Sequence, residues 1–457
     1  MNNQLAGAEY NKAIEGEGEY WDSFVADRLM RGEIPGSIDW RLTFTQFRHN
    51  HGWRPFCLGP NGINFRMNQL RHMLKTAVPK PGARVLDLGC GAGWLSLEMA
   101  RLGGDVLALD ISPTNLALAR YMADTNTRNS PYLYKNFAGV GYDPSLFGSV
   151  KYEFADLNNA QLPHAEFDAV VVWDSLHHIA NLEGLLEQVR GALKPNGVFV
   201  GVDHSVATVD TWAFHDIVTA QLDAVIAWIT ANDPEWLYKA VNSAADKLDW
   251  DLLAVDYDST PVPGWEAFQA TVCAEMLDVV RSGMRAEAVE KVKQAAASPK
   301  TGDEEESPFE DVSSERLVST LINNFHAEHF TTLSPLIQPE SHFPEYRSED
   351  ERIFQHYLAS TLVRIGERAI EHGQTDGQWF MFQMTPERPK SGTLPKELER
   401  AKKRVSSTRA ALYGQHLESE IERKNAAINE LVEKVRQLEA ELVEARKSRI
   451  NLPWKKG

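Results

Sequence analysis

Residues 84–95 constrain the fold more than any other stretch of the chain. The apolar run at its start ends at Leu88, and three glycines then stand at alternating positions: Gly89, Gly91 and Gly93. A helical pattern continues from there to Leu102. A strand, a glycine turn and a helix in this order form the nucleotide-binding arrangement of doubly wound α/β sheets. The stretch therefore predicts an α/β fold that holds a ligand at the end of its first strand.

Further strands are predicted along the chain, and several of them end in an acidic residue. The apolar runs that indicate these strands are residues 106–109, 152–154, 169–173, 198–202, 329–333 and 378–384. Asp110 stands 21 residues after Gly89, at a strand tip where a carboxylate can accept hydrogen bonds from ribose hydroxyls. Asp156 follows the third run and could contact an adenine amino group. These carboxylates predict a nucleoside-containing ligand.

Five short motifs in this order resemble those of class I S-adenosylmethionine-dependent methyltransferases. They are D-L-G-C-G-A-G at 87–93, D-I-S at 110–112, A-D-L at 155–157, D-S-L-H-H at 174–178 and L-K-P-N-G at 193–197. The resemblance implies a doubly wound, seven-stranded, Rossmann-like sheet and S-adenosylmethionine as the cofactor. It also implies a set of donor-binding residues: Asp87, Gly89, Cys90, Gly91, Gly93, Trp94, Asp110, Ile111, Asp156, Leu157, Trp173 and Asp174.

These residues are expected to divide the donor molecule among them. The glycines let the backbone approach its methionine and ribose parts, while Asp87 fixes the turn or meets the donor's ammonium group. Asp110 accepts from the ribose hydroxyls, with Ile111 packed on the adenine. A nicotinamide dinucleotide is the rival ligand, but the glycines follow an aspartate with G-x-G-x-G spacing and no second glycine turn is found. A glycine turn that merely connects strand and helix is the other alternative.

The catalytic residues are harder to read, because a sulfonium methyl group is already activated. The protein must mainly align the acceptor and, for a hydroxyl acceptor, remove a proton. His177, His178 and His204 follow predicted strands at the ligand-binding edge and are candidate bases. Each could instead be a buried histidine that only packs. A metal could be held by Asp203 and His204, but the spacing is not that of a metal motif, so no metal site is predicted.

Composition narrows the class of protein. The formal net charge of -17 argues against general binding to nucleic acid, whose phosphates would repel the chain. Three widely spaced cysteines suit a reducing compartment and give no zinc pattern. The polar N-terminus is not typical of a signal peptide, and no apolar run is long enough to cross a bilayer. A cytoplasmic protein is expected.

The periodicity divides the chain into segments. They are predicted to be an N-terminal helical cap (1–80), the first part of the sheet core (81–205), a helical insertion with an acidic linker (206–311), the last strands of the core (312–388), a coiled coil (392–449) and a basic, Trp-containing tail (450–457). The aromatic residues of the first segment could alternatively belong to the core, as part of a packed helical extension.

A heptad pattern predicts the C-terminal coiled coil. Its apolar seam contains Leu417, Ile421, Ile428, Leu431, Val435, Leu438, Leu442 and Ala445, interrupted by Lys424. Mostly β-branched residues at position a with leucine at d favour a parallel dimer, so a homo-oligomer is expected. Trp454 and two following lysines could contact an anionic membrane surface at the inner face of the membrane; a frayed terminus is the alternative.

The expected acceptor is a hydroxyl on a saccharide of a bacterial surface glycan or its lipid-linked precursor. This expectation rests on a looser resemblance to methyltransferases of surface-glycan biosynthesis, carried by the segments at 307–310, 350–353 and 379–384. Methylation of a small metabolite or a protein is the enzymatic alternative. A methyltransferase-like scaffold without turnover, which assembles partners through its coiled coil, is the alternative of a different class.

Overall fold

The computed structural model describes residues 7–51, 63–205, 262–284, 312–333 and 379–387. All of them belong to one structural unit, Met1–Lys402, and the second unit, Lys403–Gly457, lies outside the described residues. In chain order the described α-helices are α1 (Gly7–Met30), α2 (Trp40–His51), α3 (Ile63–Ala77), α4 (Trp94–Arg101), α5 (Pro113–Asp124), α6 (Asn126–Asn129), α7 (Leu182–Ala192), α8 (Trp265–Gly283) and α9 (Ser314–Asn324). The strands are β1 (Arg84–Leu88), β2 (Asp105–Asp110), β3 (Ser149–Phe154), β4 (Phe167–Trp173), β5 (Leu193–His204), β6 (His326–Leu333) and β7 (Trp379–Thr385).

The seven strands form one sheet in the order β3-β2-β1-β4-β5-β7-β6. The first five strands of this order pair in parallel, and β7 runs antiparallel to both of its neighbours. The predicted seven-stranded, Rossmann-like methyltransferase sheet is thereby confirmed. The strand order reverses between β1 and β4, and ligands of open α/β sheets bind at such a switch point, outside the carboxyl ends of the strands.

The fifth strand differs from its prediction. It begins at Leu193 and includes the four residues 194–197, which the pattern predicted to form a turn before the strand. Phe167 of β4 pairs with Leu193, but Ala169 pairs with Val198, so the register shifts there. The L-K-P-N-G motif is accommodated as an irregularity within the pairing of β4 and β5.

Alternation along the strands gives the sheet two buried faces. Val85 of β1 packs on one face with Phe44 of α2 and Leu74 of α3. Leu86 and Leu88 pack on the other face, against side chains of α7 and α9. Both faces are covered by helices, as expected for a largely parallel sheet.

Helices α1 and α8 share a third apolar cluster outside the sheet. Val25 and Leu29 of α1, Trp265 and Met276 of α8, and Leu118 of α5 belong to it, and all five are at most 3% exposed. Helix α8 was predicted over residues 265–281, within the helical insertion, and is confirmed. The described part of this segment therefore packs on the helices of the sheet core.

A buried ionic network joins the N-terminal segment to α4. Arg41 lies 2.7 Å from Glu98, and Arg101 lies 2.6 Å from Asp39 and 2.7 Å from Glu98. All four side chains are at most 1% exposed. Arg41 also donates through Nη1 to the carbonyl of Tyr134 at 2.7 Å. Because each charge faces an opposite one, the network can exist without water and fixes α2 on the core.

The segment between α5 and β3, predicted as one long loop over 125–150, contains three short helical pieces. They are α6 and the 3₁₀ turns Ser130–Tyr132 and Pro144–Leu146. Phe137 is fully buried in the core, with its ring 5.3 Å from that of Phe44. The contacts of this segment could not be predicted from the sequence, because its composition is mostly polar and its buried aromatic residues are not adjacent to one another.

Several predicted elements lie outside the described residues. These are the coiled coil at 392–449, the tail at 450–457 and the helical patterns at 208–230, 235–248 and 349–372. Among the helices that are described, none combines the length and apolar character that crossing a membrane requires.

Candidate functional site

The glycine turn after β1 is joined directly to the tip of β2. The backbone N–H of Gly91 donates to Oδ2 of Asp110 at 2.8 Å, and the N–H of Ser112 donates to Oδ1 at 2.8 Å. Each carboxylate oxygen can accept a further hydrogen bond. The two predicted halves of the donor site, the glycines and the second-strand carboxylate, are therefore in contact.

Two glycines of the turn have different reasons for lacking a side chain. Gly93 has φ +86°, and a Cβ there would lie 2.7 Å from Cβ of Ala119 and from the hydroxyl of Tyr152. Gly91 has φ +52°, but a Cβ there would meet no atom within 4 Å. Gly93 is thus required by packing between the turn and α5, whereas Gly91 borders open space that a ligand can enter.

Asp87 of β1 is hydrogen-bonded to α4, the helix that follows the turn. Its carboxyl group is 1% exposed, and Oδ2 accepts a hydrogen bond from the Ser96 hydroxyl of α4 at 2.5 Å. Burial raises the pKa of Asp87 to about 7, with the nearby Asp110 acting in the same direction. Burial likewise raises the pKa of the Cys90 thiol. Of the two roles predicted for Asp87, the geometry favours the structural one.

The segment that follows the third strand is hydrogen-bonded to the tip of β2 and contains Asp156 and Leu157. The N–H of Ala155 donates to the carbonyl of Asp110 at 2.9 Å. The Asp156 carboxylate accepts from the N–H of Asn158 at 3.0 Å, and Leu157 is buried in the core. The contact between Ala155 and Asp110 could not be predicted from the order of the residues, since it follows from the parallel pairing of β2 and β3.

Three tryptophans lie next to one another at the start of α4, directly after the turn. Trp94 begins α4, and its ring lies 5.2 Å from that of Trp173 at the end of β4. Trp40, at the start of α2, lies 5.1 Å from Trp94. All three are only partly buried. Trp40 was not among the predicted site residues, because nothing in the pattern of the N-terminal segment distinguished it from the core aromatics.

The tips of β4 and β5 bring two aspartates and two histidines together. His177 Nδ1 lies 2.7 Å from Oδ1 of Asp203, and His204 Nδ1 lies 3.0 Å from Oδ1 of Asp174. We call Asp174, His177, Asp203 and His204 the acid–imidazole cluster. Asp174 has φ +55°, a conformation that is uncommon for a residue other than glycine and that recurs at functional sites.

The three predicted catalytic histidines differ in their surroundings. His177 is 2% exposed; burial alone would lower its pKa, but the charge and hydrogen bond of Asp203 outweigh burial and raise it. His204 is 9% exposed, and its ring lies 5.1 Å from that of Trp379. His178 is partly buried, 4.0 Å from His177 between ring centres. All three lie at one place, with His177 and His204 inside the cluster.

The sequence indicates Asp203 only as one of two residues that could hold a metal. Its side chain is fully buried, and Oδ2 accepts from the N–H groups of Ser175 and Leu176 at 3.2 and 2.7 Å. Oδ1 accepts from the N–H of His204 at 2.8 Å. Asp203 therefore orients both the segment after β4 and the imidazole of His177. Only the aspartate–histidine sequence at the strand end could have indicated this.

Comparison with known proteins shows which proteins the chain resembles. A family profile described as "Methyltransferase domain" matches residues 64–244. The chain is 28% identical over 156 residues to the ubiquinone biosynthesis O-methyltransferase of Bradyrhizobium diazoefficiens, covering 34% of this chain and 51% of the relative. It is 34% identical over 119 residues to the mitochondrial enzyme of the same name from Schizosaccharomyces pombe, covering 26% and 37%. The chain spans about half the length of the curated relatives it matches.

Solved structures are matched over a similar share of the chain. An S-adenosylmethionine-dependent methyltransferase from Mesorhizobium loti is 32% identical, covering 30% of this chain and 52% of that one, with a TM-score of 0.23. The profile covers the glycine turn, the carboxylates of β2 and β3, and the acid–imidazole cluster. Residues 64–244 therefore resemble a methyltransferase domain, and the cofactor that this resemblance implies is S-adenosylmethionine.

Proposed function

We propose that the protein is an S-adenosylmethionine-dependent O-methyltransferase that acts on a hydroxyl group of a small molecule. The observation that carries the proposal is the 2.8 Å contact between Gly91 and Asp110, beside the switch point of the sheet. It supports a nucleoside site there, and the acid–imidazole cluster lies at the neighbouring strand tips. Donor site and proton-handling groups therefore share one edge of the sheet.

The residues present fit the cofactor. Asp110 offers carboxylate oxygens to ribose hydroxyls, and the open side of Gly91 leaves room for the ligand's approach. Trp173 and Trp94 offer apolar faces beside the turn. When bound, the cofactor supplies an activated methyl group on a sulfonium; the protein's task is then alignment and proton removal.

We place proton removal at the acid–imidazole cluster. A hydroxyl must lose its proton during methyl transfer, and imidazoles paired with carboxylates are suited to receive it near neutral pH. His204 is the more exposed of the two imidazoles, and Asp174 contacts its Nδ1. His178 stands next to the cluster as a further candidate. These catalytic roles are proposals.

The acceptor is proposed from the relatives' names. The matched relatives are O-methyltransferases of ubiquinone biosynthesis, which favours a hydroxyl on a small metabolite over the saccharide expected from the sequence. The surface-glycan acceptor keeps only the support of its short motifs, two of which, at 307–310 and 350–353, lie outside the described residues.

The test is turnover with methyl-labelled donor and two acceptor panels, one of phenols and catechols and one of sugars and oligosaccharides. We expect label transfer to the first panel, reduced in Asp110→Asn at donor concentrations below saturation. Transfer to the sugar panel alone would favour the glycan acceptor. If the chain binds the donor but transfers no label to either panel, to proteins or to thiols, the non-catalytic scaffold is favoured.

A further inference from the structure

The acid–imidazole cluster has a composition that the donor site does not explain. One nitrogen or oxygen atom from each of Asp174, His177, Asp203 and His204 can be chosen so that all four lie within 4.8 Å of one another. Three of these residues are nearly buried, with exposures of 0% for Asp203, 2% for His177 and 9% for His204. Four possible ligand atoms therefore converge at the end of two adjacent strands.

The charges of this group need compensation. Two carboxylates close together in a largely buried place repel each other and lose their hydration. When both imidazoles are neutral, a divalent cation would offset the charge of the two carboxylates. The nitrogen–oxygen contacts of 2.7 and 3.0 Å between its members are hydrogen bonds, which a metal ion bound by all four residues would replace.

We propose that Asp174, His177, Asp203 and His204 bind a divalent transition-metal ion. Two imidazoles with two carboxylates favour zinc, iron, cobalt or manganese over magnesium or calcium, which prefer all-oxygen sites. The sequence indicated Asp203 and His204 as possible ligands but not the complete site, because the ligands come from two segments 26 or more residues apart with no metal-binding spacing.

The surroundings hold the ligands as a metal site requires. Outer hydrogen bonds commonly orient the carboxylates and imidazoles that bind metals. Asp203 accepts the N–H of Leu176 at 2.7 Å through Oδ2, which is not the oxygen that contacts His177. Asp174 has its contact with His204 at the cost of a left-handed backbone conformation. A strained ligand residue of this kind is explained if binding depends on its carboxylate.

The ion would act on the acceptor, and this consequence, unlike the site itself, rests on the proposed function. A hydroxyl bound to the ion becomes more acidic. The hydroxyl would then lose its proton to a base more readily, and its oxygen would take the methyl group from the sulfonium, which leaves as a thioether. His204 would then be a metal ligand, and the cation would take over the task assigned above to an imidazole.

The experiment uses the full chain, freed of metal by a chelator and titrated with Co²⁺ and, separately, Zn²⁺. We expect one ion per chain by elemental analysis, and a visible absorption band for Co²⁺ that Zn²⁺ abolishes. Asp174→Asn and His204→Gln should each weaken Co²⁺ binding by about 10-fold or more. Asparagine tolerates the left-handed conformation of residue 174. His164→Gln, at an exposed histidine outside the cluster, should bind as the wild type does.

Two results would overturn the metal site: no stoichiometric Co²⁺ binding by the wild type, or equal binding by the wild type and by folded His204→Gln and Asp174→Asn. Near-ultraviolet circular dichroism establishes folding, and the wild-type titration decides if neither variant folds. Donor binding by the wild type is measured in parallel. Donor binding without metal binding contradicts only this inference, whereas metal binding without donor binding contradicts only the proposed function.

Discussion

Asp87 is an acidic residue held where its charge is disfavoured. Its carboxyl group is buried against Ser96, and its pKa is raised from 3.8 to about 7. Between these two values the folded chain keeps a proton that the unfolded chain has released. The free energy of unfolding contributed by Asp87 therefore falls as pH rises through this range.

Asp87→Asn should remove this pH-dependent fall in the free energy of unfolding. Asparagine cannot ionise, and its amide oxygen can still accept from Ser96. We expect the free energy of unfolding of the variant, relative to wild type, to increase as pH rises through the interval set by the ordinary pKa of 3.8 and the raised pKa of about 7. Urea denaturation of both proteins at several pH values in that interval measures it. A difference independent of pH would show that Asp87 is ionised throughout.

The glycine turn allows binding and packing to be separated at single residues. Gly91→Ala should weaken donor binding, because the added methyl group enters the open side of the turn, while costing about 1 kcal/mol of stability for its positive φ. Gly93→Ala should cost more stability, since its Cβ meets Ala119 and Tyr152 at 2.7 Å. Calorimetry with S-adenosylmethionine and urea denaturation measure the two effects. Unchanged donor binding by Gly91→Ala would show that the ligand does not use this side.

At the level of elements, the position of α2 on the core depends on a network of buried charges. Removing one member of a buried ionic network leaves its partners incompletely compensated, which costs about 3 kcal/mol or more. Arg41→Met should lower the free energy of unfolding by this amount, because Glu98 loses one of its two arginines. The matched control is Arg31→Met, whose pair with Asp27 is partly exposed and should contribute less than about 1 kcal/mol. Equal effects of the two substitutions would contradict a structural role for the network.

The strands could be predicted from short runs of strand-forming residues, and the runs of β1, β2, β4 and β5 end directly before a glycine or an aspartate. Pairings between distant segments could not be predicted. The contact of Arg41 with Glu98 spans 57 residues, and that of His177 with Asp203 spans 26. The sequence around these residues does not show whether the partner of a charged side chain is buried or exposed to solvent. For the same reason the convergence of the acid–imidazole cluster could not be predicted, although the sequence indicates each of its four members separately.

In the whole molecule, the strand order decides where the chemistry occurs. The reversal between β1 and β4 puts the glycine turn and Asp110 on one side and the acid–imidazole cluster on the other. Trp94 and Trp173 bridge the two sides with rings 5.2 Å apart. One edge of the sheet can therefore hold a donor and an acceptor at the same time.

The coiled coil remains a prediction from the heptad pattern, as do the membrane contact of the tail and the cytoplasmic location. A chain ending near Pro389 should keep the donor affinity of the full chain and become monomeric, because it lacks the predicted apolar seam. Light scattering coupled to size-exclusion chromatography gives the mass of both forms. A full-length chain that is already monomeric would refute the predicted oligomer.

Isothermal titration calorimetry of the full chain with S-adenosylmethionine tests the central claim most directly. We predict one site per chain, weakened about 10- to 100-fold by Asp110→Asn through the loss of hydrogen bonds to a charged carboxylate. Asp143→Asn, at an exposed aspartate remote in sequence from the glycine turn, should bind like the wild type. Absence of binding by the wild type, or equal affinity after Asp110→Asn, would contradict a donor site between Gly91 and Asp110.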